Sequence, residues 1–271
     1  MRRVTFPFVK GHGTGNDFVV LPDLDGSIHG DLDPALVATL CDRRRGIGAD
    51  GVLRVLRRQS GPSTWFMDYR NADGSLAEMC GNGIRVFVRY LLDAGLVDLA
   101  PGHPLPIDTR DGVKAVTLCL DGDLSVGMGS AQVGGSVGID SGDRWYAARR
   151  VDIGNPHAVA FVEKLQGMGE LQSPRSAAEV FPDGVNVEFV EQVRPGTLRI
   201  RVHERGVGET LSCGTGACAA VAAVTAADRG SRPATYQVEV LGGTLTVTVD
   251  EAGRYHLKGP AVLVADGTWR G

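Results

Sequence analysis

One order of segments occurs twice along these 271 residues, so any fold must accommodate two copies of one plan. The first copy runs GHGTGNDFVV (11–20), YRNADGSLAEMCGNGIRVFVRYLLDAG (69–95) and a strand-rich tail. The second runs DIGNPHAVAFV (152–162), VHERGVGETLSCGTGACAAVAAVTAADRG (202–230) and another such tail. Each opens on a Gly…Asn turn into an apolar strand, then gives a strand, a polar loop, Cys-Gly-x-Gly and a helix. Asn71 lies nine residues before Cys80, and Glu204 nine before Cys213.

The first helix places Ile84, Phe87, Val88, Leu91 and Leu92 at i, i+3, i+4, i+7 and i+8, with Val86 and Tyr90 widening the apolar face. The second has no charge between Glu209 and Asp228, which predicts a helix buried on every side. Gly95 and Gly230 are placed to end the two helices as left-handed caps. Alternation at Val116, Leu118 and Leu120 predicts a strand that turns at Asp121-Gly122 into Leu124, Val126 and Met128. The same pattern at Val238 and Val240 turns at Gly242-Gly243 into Leu245, Val247 and Val249.

The fold class predicted is α/β, in two pseudo-symmetric halves, each a curled and mainly antiparallel sheet wrapped around a central helix. The N-terminal half covers residues 1–122, joined by a returning C-terminal strand at 262–271, and the C-terminal half covers 123–261. Glycine, 38 of the residues, stands at about twice its usual share and fits many short strands and tight turns. A net charge of −4 gives no basic surface for nucleic acid. Neither a signal peptide nor a membrane span is evident, so a cytoplasmic protein with no membrane partner is the expectation. Five cysteines without an export signal argue against a disulfide framework. No pair has zinc-ligand spacing, and no metal is expected.

A thiol at a helix start meets unpaired backbone amides and the positive end of the dipole, which draws its pKa below about 8.5. The glycines beside it let a carboxylate approach those amides. Cys80 with Gly81-Asn82-Gly83 and Cys213 with Gly214-Thr215-Gly216 each offer thiol and cradle. Facing one another between the halves, the two would bracket a substrate α-carbon, one sulfur taking a proton from one face and the other returning one to the opposite face. Such opposed thiols would be open to oxidation, and closure around substrate would exclude water. A cysteine at a helix start is, taken alone, more often a small buried residue, a reading that suits Cys41, Cys119 and Cys218. Singly, Asn16, Asn71, Asn155 and Asn186 read as turn formers, His157 as a satisfied structural histidine, and Glu204 with Arg205 as a solvated pair. Their equivalent places around the two thiols suit a zwitterionic small molecule instead.

In this order GHGTGNDF, RNADGSLAEMCGNGIR, GNPH, GVNVEF and HERGVGETLSCGTGA resemble the diaminopimelate epimerase family. The resemblance implies interconversion of LL- and meso-diaminopimelate, on the route to lysine and peptidoglycan, without pyridoxal phosphate, metal or other cofactor. It makes Cys80 and Cys213 the acid/base thiols. Gly81, Asn82, Gly214 and Thr215 then cradle the α-carboxylate, and Asn16, Asn71, Asn155, Asn186, Glu204 and Arg205 contact substrate. Of these, Asn71, Asn186 and Arg205 suit the distal carboxylate, while His157 and Glu204 support the chemistry near the amino group. Two positions depart from the pattern. GIGADG has Gly51 where some members have a substrate-contacting Gln, and Ala265 stands where many dimeric members have the Tyr of V-Y-D. A homodimer is nonetheless the family expectation. Proline racemases and phenazine-related isomerases share the duplicated plan, and a proline racemase-like enzyme is the alternative within it. Further off lie Cys80–His157 acyl transfer, which leaves Cys213 idle, and an amino-acid binding module without chemistry.

Overall fold

A computed structural model describes residues 5–61, 63–176, 179–228 and 233–271. Strands dominate and helices are few. Two compact units emerge, unit 1 from residues 1–126 with 259–271 and unit 2 from residues 127–258. Strand β1 (Thr5–Gly13) hairpins into β2 (Asn16–Pro22), followed by α1 (Pro34–Cys41), β3 (Gly51–Arg57), β4 (Trp65–Asn71), α2 (Gly81–Asp93), β5 (Pro104–Thr109), β6 (Gly112–Leu118) and β7 (Leu124–Ser130). Next come β8 (Gln132–Ser141), β9 (Arg144–Asp152), β10 (Pro156–Phe161), β11 (Arg175–Ser176), β12 (Asn186–Arg194), β13 (Thr197–Glu204) and β14 (Gly208–Thr210). Helix α3 (Gly214–Asp228), β15 (Ala234–Val240), β16 (Gly243–Val249) and β17 (Arg254–Gly259) follow, and β18 (Val262–Arg270) ends the chain.

The duplication in the sequence reappears as strand pairing. In unit 1 the ladder runs β18–β1–β2–β3–β4–β5–β6–β7, with β2–β3 and β4–β5 parallel and the other pairs antiparallel. Unit 2 repeats it as β8–β9–β10–β12–β13–β15–β16–β17, with β10–β12 and β13–β15 parallel. Each parallel pair needs a long crossover, and α2 and α3 supply the second crossover of each unit.

Helix α2 forms where periodicity and capping agree. In α2, Ile84, Phe87, Val88 and Leu91 are wholly buried. The helix stops at Gly95 (φ +63°), where the Gly95 amide donates to the Leu92 carbonyl and the Leu96 amide to that of Leu91, a Schellman cap. In α3, every residue from Ala217 to Val224 is buried, as its lack of charge requires. Gly230, the expected cap of that helix, lies outside the described residues.

Two turns differ from the sequence reading. Leu120 is 94% exposed instead of facing a core, because the Cys119 amide donates to the Asp123 carbonyl and ends the ladder at Leu118. Cys119 therefore sits in that turn and not within a strand. Val240 pairs with Gly243, so the second turn is Leu241-Gly242, one residue early. No helix among the described residues is long and apolar enough to cross a membrane.

Candidate active site

In unit 1 the β1–β2 turn places the first polar group. Thr14 (φ +49°) and Gly15 (φ +84°) are both left-handed, a geometry whose twist matches the hairpin and which makes Asn16 the first residue of β2. The Asn16 Nδ2 donates to Asp50 Oδ2 at 2.7 Å. That fixes the amide with Oδ1 turned to the start of α2, where it accepts from Asn82 Nδ2 at 3.2 Å and from the Cys80 thiol at 3.6 Å. Cys80 is the N-cap of α2, and its sulfur accepts from the Gly83 amide at 3.4 Å. A sulfur thus does what Ser or Asp oxygen usually does at this position.

Arg85, wholly buried, locks the same helix start. Its Nη1 donates to the Gly81 carbonyl at 3.1 Å and its Nη2 to Asn82 Oδ1 at 2.9 Å, turning the Asn82 Nδ2 toward Asn16. Asn71, last in β4, spends its amide nearby in sequence: its Nδ2 donates to Ser75 Oγ at 3.0 Å. At Gly51 a Cβ would lie 2.6 Å from the Arg70 carbonyl oxygen and 2.8 Å from a Tyr69 ring carbon, so this backbone leaves no room there for a longer residue.

Unit 2 repeats the capped thiol. Cys213 Sγ accepts from the Gly216 amide at 3.4 Å and lies 3.4 Å from Thr215 Oγ1. Asn155 immediately precedes β10 and His157 is its second residue, wholly buried between two oxygens, Asn155 Oδ1 at 2.9 Å and Glu188 Oε1 at 2.7 Å. Asn186, first in β12, accepts the Arg205 amide at 2.9 Å, and Arg205 Nη1 donates to the Asp183 carbonyl at 3.0 Å. Glu204, last in β13, accepts from the Thr210 hydroxyl.

The Cys213 thiol departs from expectation. Burial, with further repulsion from Glu204 and Glu188, pushes it well above the ordinary thiol range, although Thr215 and Gly216 pull the other way. Burial strips a thiolate of its solvation, and with Cys213 6% exposed this outweighs the pull of the helix start. At neutral pH Cys213 accordingly keeps its proton.

The residues expected at the site fall on strand ends and helix starts in equivalent places of the two ladders: Asn16 with Asn155, Asn71 with Glu204, Cys80 with Cys213. Asn16, Asn82 and Cys80 touch, as do Cys213 and Thr215, whereas the Asn71 amide bonds Ser75 in its own loop through Nδ2. Sequence reasoning passed over Asp50, Arg85 and Glu188. Arg85 and Glu188 each carried a signal, a lone charge inside an apolar run (IRVFV and VEFV). Asp50 carried none, because its contact with Asn16 spans 34 residues.

Two stretches, residues 8–134 and 149–264, match the family model described as diaminopimelate epimerase. The chain belongs to the diaminopimelate epimerase family. A curated diaminopimelate epimerase of Streptomyces coelicolor is 52% identical over 277 residues, covering 96% of this chain and 94% of that protein. Another from Thermobifida fusca is 48% identical and covers 97% of each. Beyond close relatives, the fold matches a crystal structure of a hydroxyproline epimerase from Agrobacterium vitis with a TM-score of 0.74, at 16% identity over 98% of this chain and 93% of that one. Family membership therefore rests on near-complete sequence matches, and the two-unit fold extends to a wider set of epimerases.

Proposed function

We propose that this chain is an isomerase that interconverts LL- and meso-diaminopimelate, with Cys80 and Cys213 as its two bases. The observation that carries the reading is the repeated capped thiol, a sulfur 3.4 Å from the third amide of α2 and again of α3. In each copy the cap occupies one helical amide and leaves earlier ones to an anion. A thiolate takes the α-proton as a new S–H bond, and the C–H electron pair passes into the adjoining carboxylate group. The opposite thiol then gives its proton to the other face of the α-carbon, becoming the thiolate itself. Protons and charge balance, and the stereocentre is inverted.

Cys213 is the resting acid in this scheme, because its surroundings hold its proton. Gly81, Asn82, Gly214 and Thr215 receive the α-carboxylate, and Asn16 and Asn155 orient the amino-acid head. Asn71, Asn186 and Arg205 receive the distal end, with Glu204 near the ammonium. Proline has no second head group to engage that last set. The test is chiral chromatography of purified enzyme incubated with LL-diaminopimelate, L-proline or trans-4-hydroxy-L-proline. Conversion of the first alone supports the reading, and preferential turnover of either proline contradicts it.

A further inference from the structure

The β2–β3 and β10–β12 registers align, and beneath the two helix starts their chemistry differs. In unit 1, Phe18 follows Asn16 by two positions, and Val20 pairs with Leu53 across β2–β3. In unit 2, His157 follows Asn155 by two, and Val159 pairs with Glu188 across β10–β12. His157 thus takes the place of Phe18, and Glu188 that of Leu53. The Phe18–Leu53 pair packs beneath the start of α2, where a Cβ on Gly83 would meet Leu53 Cδ2 at 3.3 Å and Phe18 Cζ at 3.4 Å. Beneath the start of α3, a Cβ on Gly216 would meet Glu188 Oε1 at 2.7 Å. The plan therefore folds with an apolar pair at this position, yet unit 2 buries an acid and an imidazole there, both wholly inaccessible. Glu188 Oε2 makes no hydrogen bond to the described residues.

Burying such a pair seldom adds stability over an apolar one, so its use is to be sought elsewhere. Hydrogen counting supplies it. Asn155 Oδ1 faces His157 Nε2 at 2.9 Å, so Nε2 carries the hydrogen and donates it. His157 Nδ1 and Glu188 Oε1 share a second hydrogen across 2.7 Å. Asn155 is then held by its oxygen, leaving its Nδ2 donors to other partners. Asn16 is held the opposite way, by its Nδ2 on Asp50, with its oxygen turned to Cys80 and Asn82. One unit offers an acceptor and the other a donor.

Building on the epimerase reading above, we propose that Glu188 is a positioning residue that acts through His157 to fix the Asn155 amide with its Nδ2 donors toward a carboxylate oxygen of the substrate. In Glu188→Gln the new amide can meet Nδ1 with either its oxygen or its nitrogen. Which ring nitrogens carry hydrogen, and with them the Asn155 orientation, is no longer set.

The test is a double-mutant cycle of Glu188→Gln and Asn155→Ala, read as kcat/KM for LL-diaminopimelate. Glu188→Gln lowers kcat/KM about tenfold in the natural background, equivalent to about 1.4 kcal/mol. In the Asn155→Ala background the same change costs less than about twofold. A second variant transplants the unit 1 pair, His157→Phe with Glu188→Leu. It melts at or above the parent temperature and loses at least about tenfold in kcat/KM. Equal losses from Glu188→Gln in both backgrounds, or parental activity in the transplant, overturn the proposal. Should Glu188→Gln fail to fold, the transplant decides alone. Absence of turnover in the unmodified enzyme overturns the epimerase reading and this proposal with it, whereas turnover without coupling overturns only the positioning role.

Discussion

Gly83 and Gly216 occupy the same third position of α2 and α3, and replacing each with alanine should have opposite consequences. Alanine is the better helix former by about 1 kcal/mol, so both substitutions begin with that gain. At Gly83 the added Cβ meets Leu53, Cys80 and Phe18 carbons at 3.3–3.4 Å, a tight contact that flexible apolar side chains relieve by small shifts. At Gly216 it meets Glu188 Oε1 at 2.7 Å, well inside an optimal heavy-atom separation of about 3.5 Å. Glu188 must retreat by most of that difference, yet it is tied to His157 at 2.7 Å. Losing a buried hydrogen bond to a charged group costs about 1.5–3 kcal/mol, which outweighs the helix gain by about 0.5–2 kcal/mol. Gly216→Ala should therefore melt roughly 1–8 °C below the parent, and Gly83→Ala at or slightly above it. Paired calorimetric melts of the two variants give the answer. If Gly216→Ala is as stable as Gly83→Ala, the packing of Glu188 beneath α3 is misjudged.

Two further predictions concern groups away from the reacting carbon. Arg85→Met removes the donor to buried Asn82 Oδ1, which should cost about 1–3 kcal/mol in urea unfolding and lower kcat/KM; a variant with parental stability and activity would contradict the locking role. The Cys41 thiol, pushed up from 9.0 to about 11 by burial, keeps its proton when folded at a pH where the unfolded chain has lost it. Its contribution is complete below pH 9 and declines as pH rises from there through about 11, by about 1.4 kcal/mol per unit. The stability difference between the parent and Cys41→Ala should shrink at that rate over this interval, and a difference independent of pH would refute the assignment.

Much of the architecture was legible because it depends on local pattern. The spacing of Ile84, Phe87, Val88 and Leu91 carried the buried face of α2, the uncharged run after Glu209 carried α3, and Gly95 marked its own cap. The Cys-Gly-x-Gly repeat put both thiols at helix starts. Leu120 misled because alternation continues through a turn whose closure is set by the Cys119–Asp123 hydrogen bond, and a pattern of apolar residues does not register that bond. The protonation of Cys213 was unreadable for a different reason: it depends on burial and on Glu188 and Glu204, carried by β12 and β13. Arg85 stood out as a lone charge inside an apolar run, but its partners, the Gly81 carbonyl and Asn82 Oδ1, become visible only in the packed helix.

The central claim is that two thiols exchange protons with one α-carbon, and it is tested most directly by NMR of LL-diaminopimelate turnover in D₂O. The enzyme, Cys80→Ser and Cys213→Ser are followed side by side with reductant present. Deuterium should enter the α-carbon of the newly formed meso product before it accumulates in residual substrate, and each serine variant should lose epimerisation. Meso product that forms with its original α-hydrogen, or a single serine variant that epimerises at the parental rate, would contradict the two-thiol account.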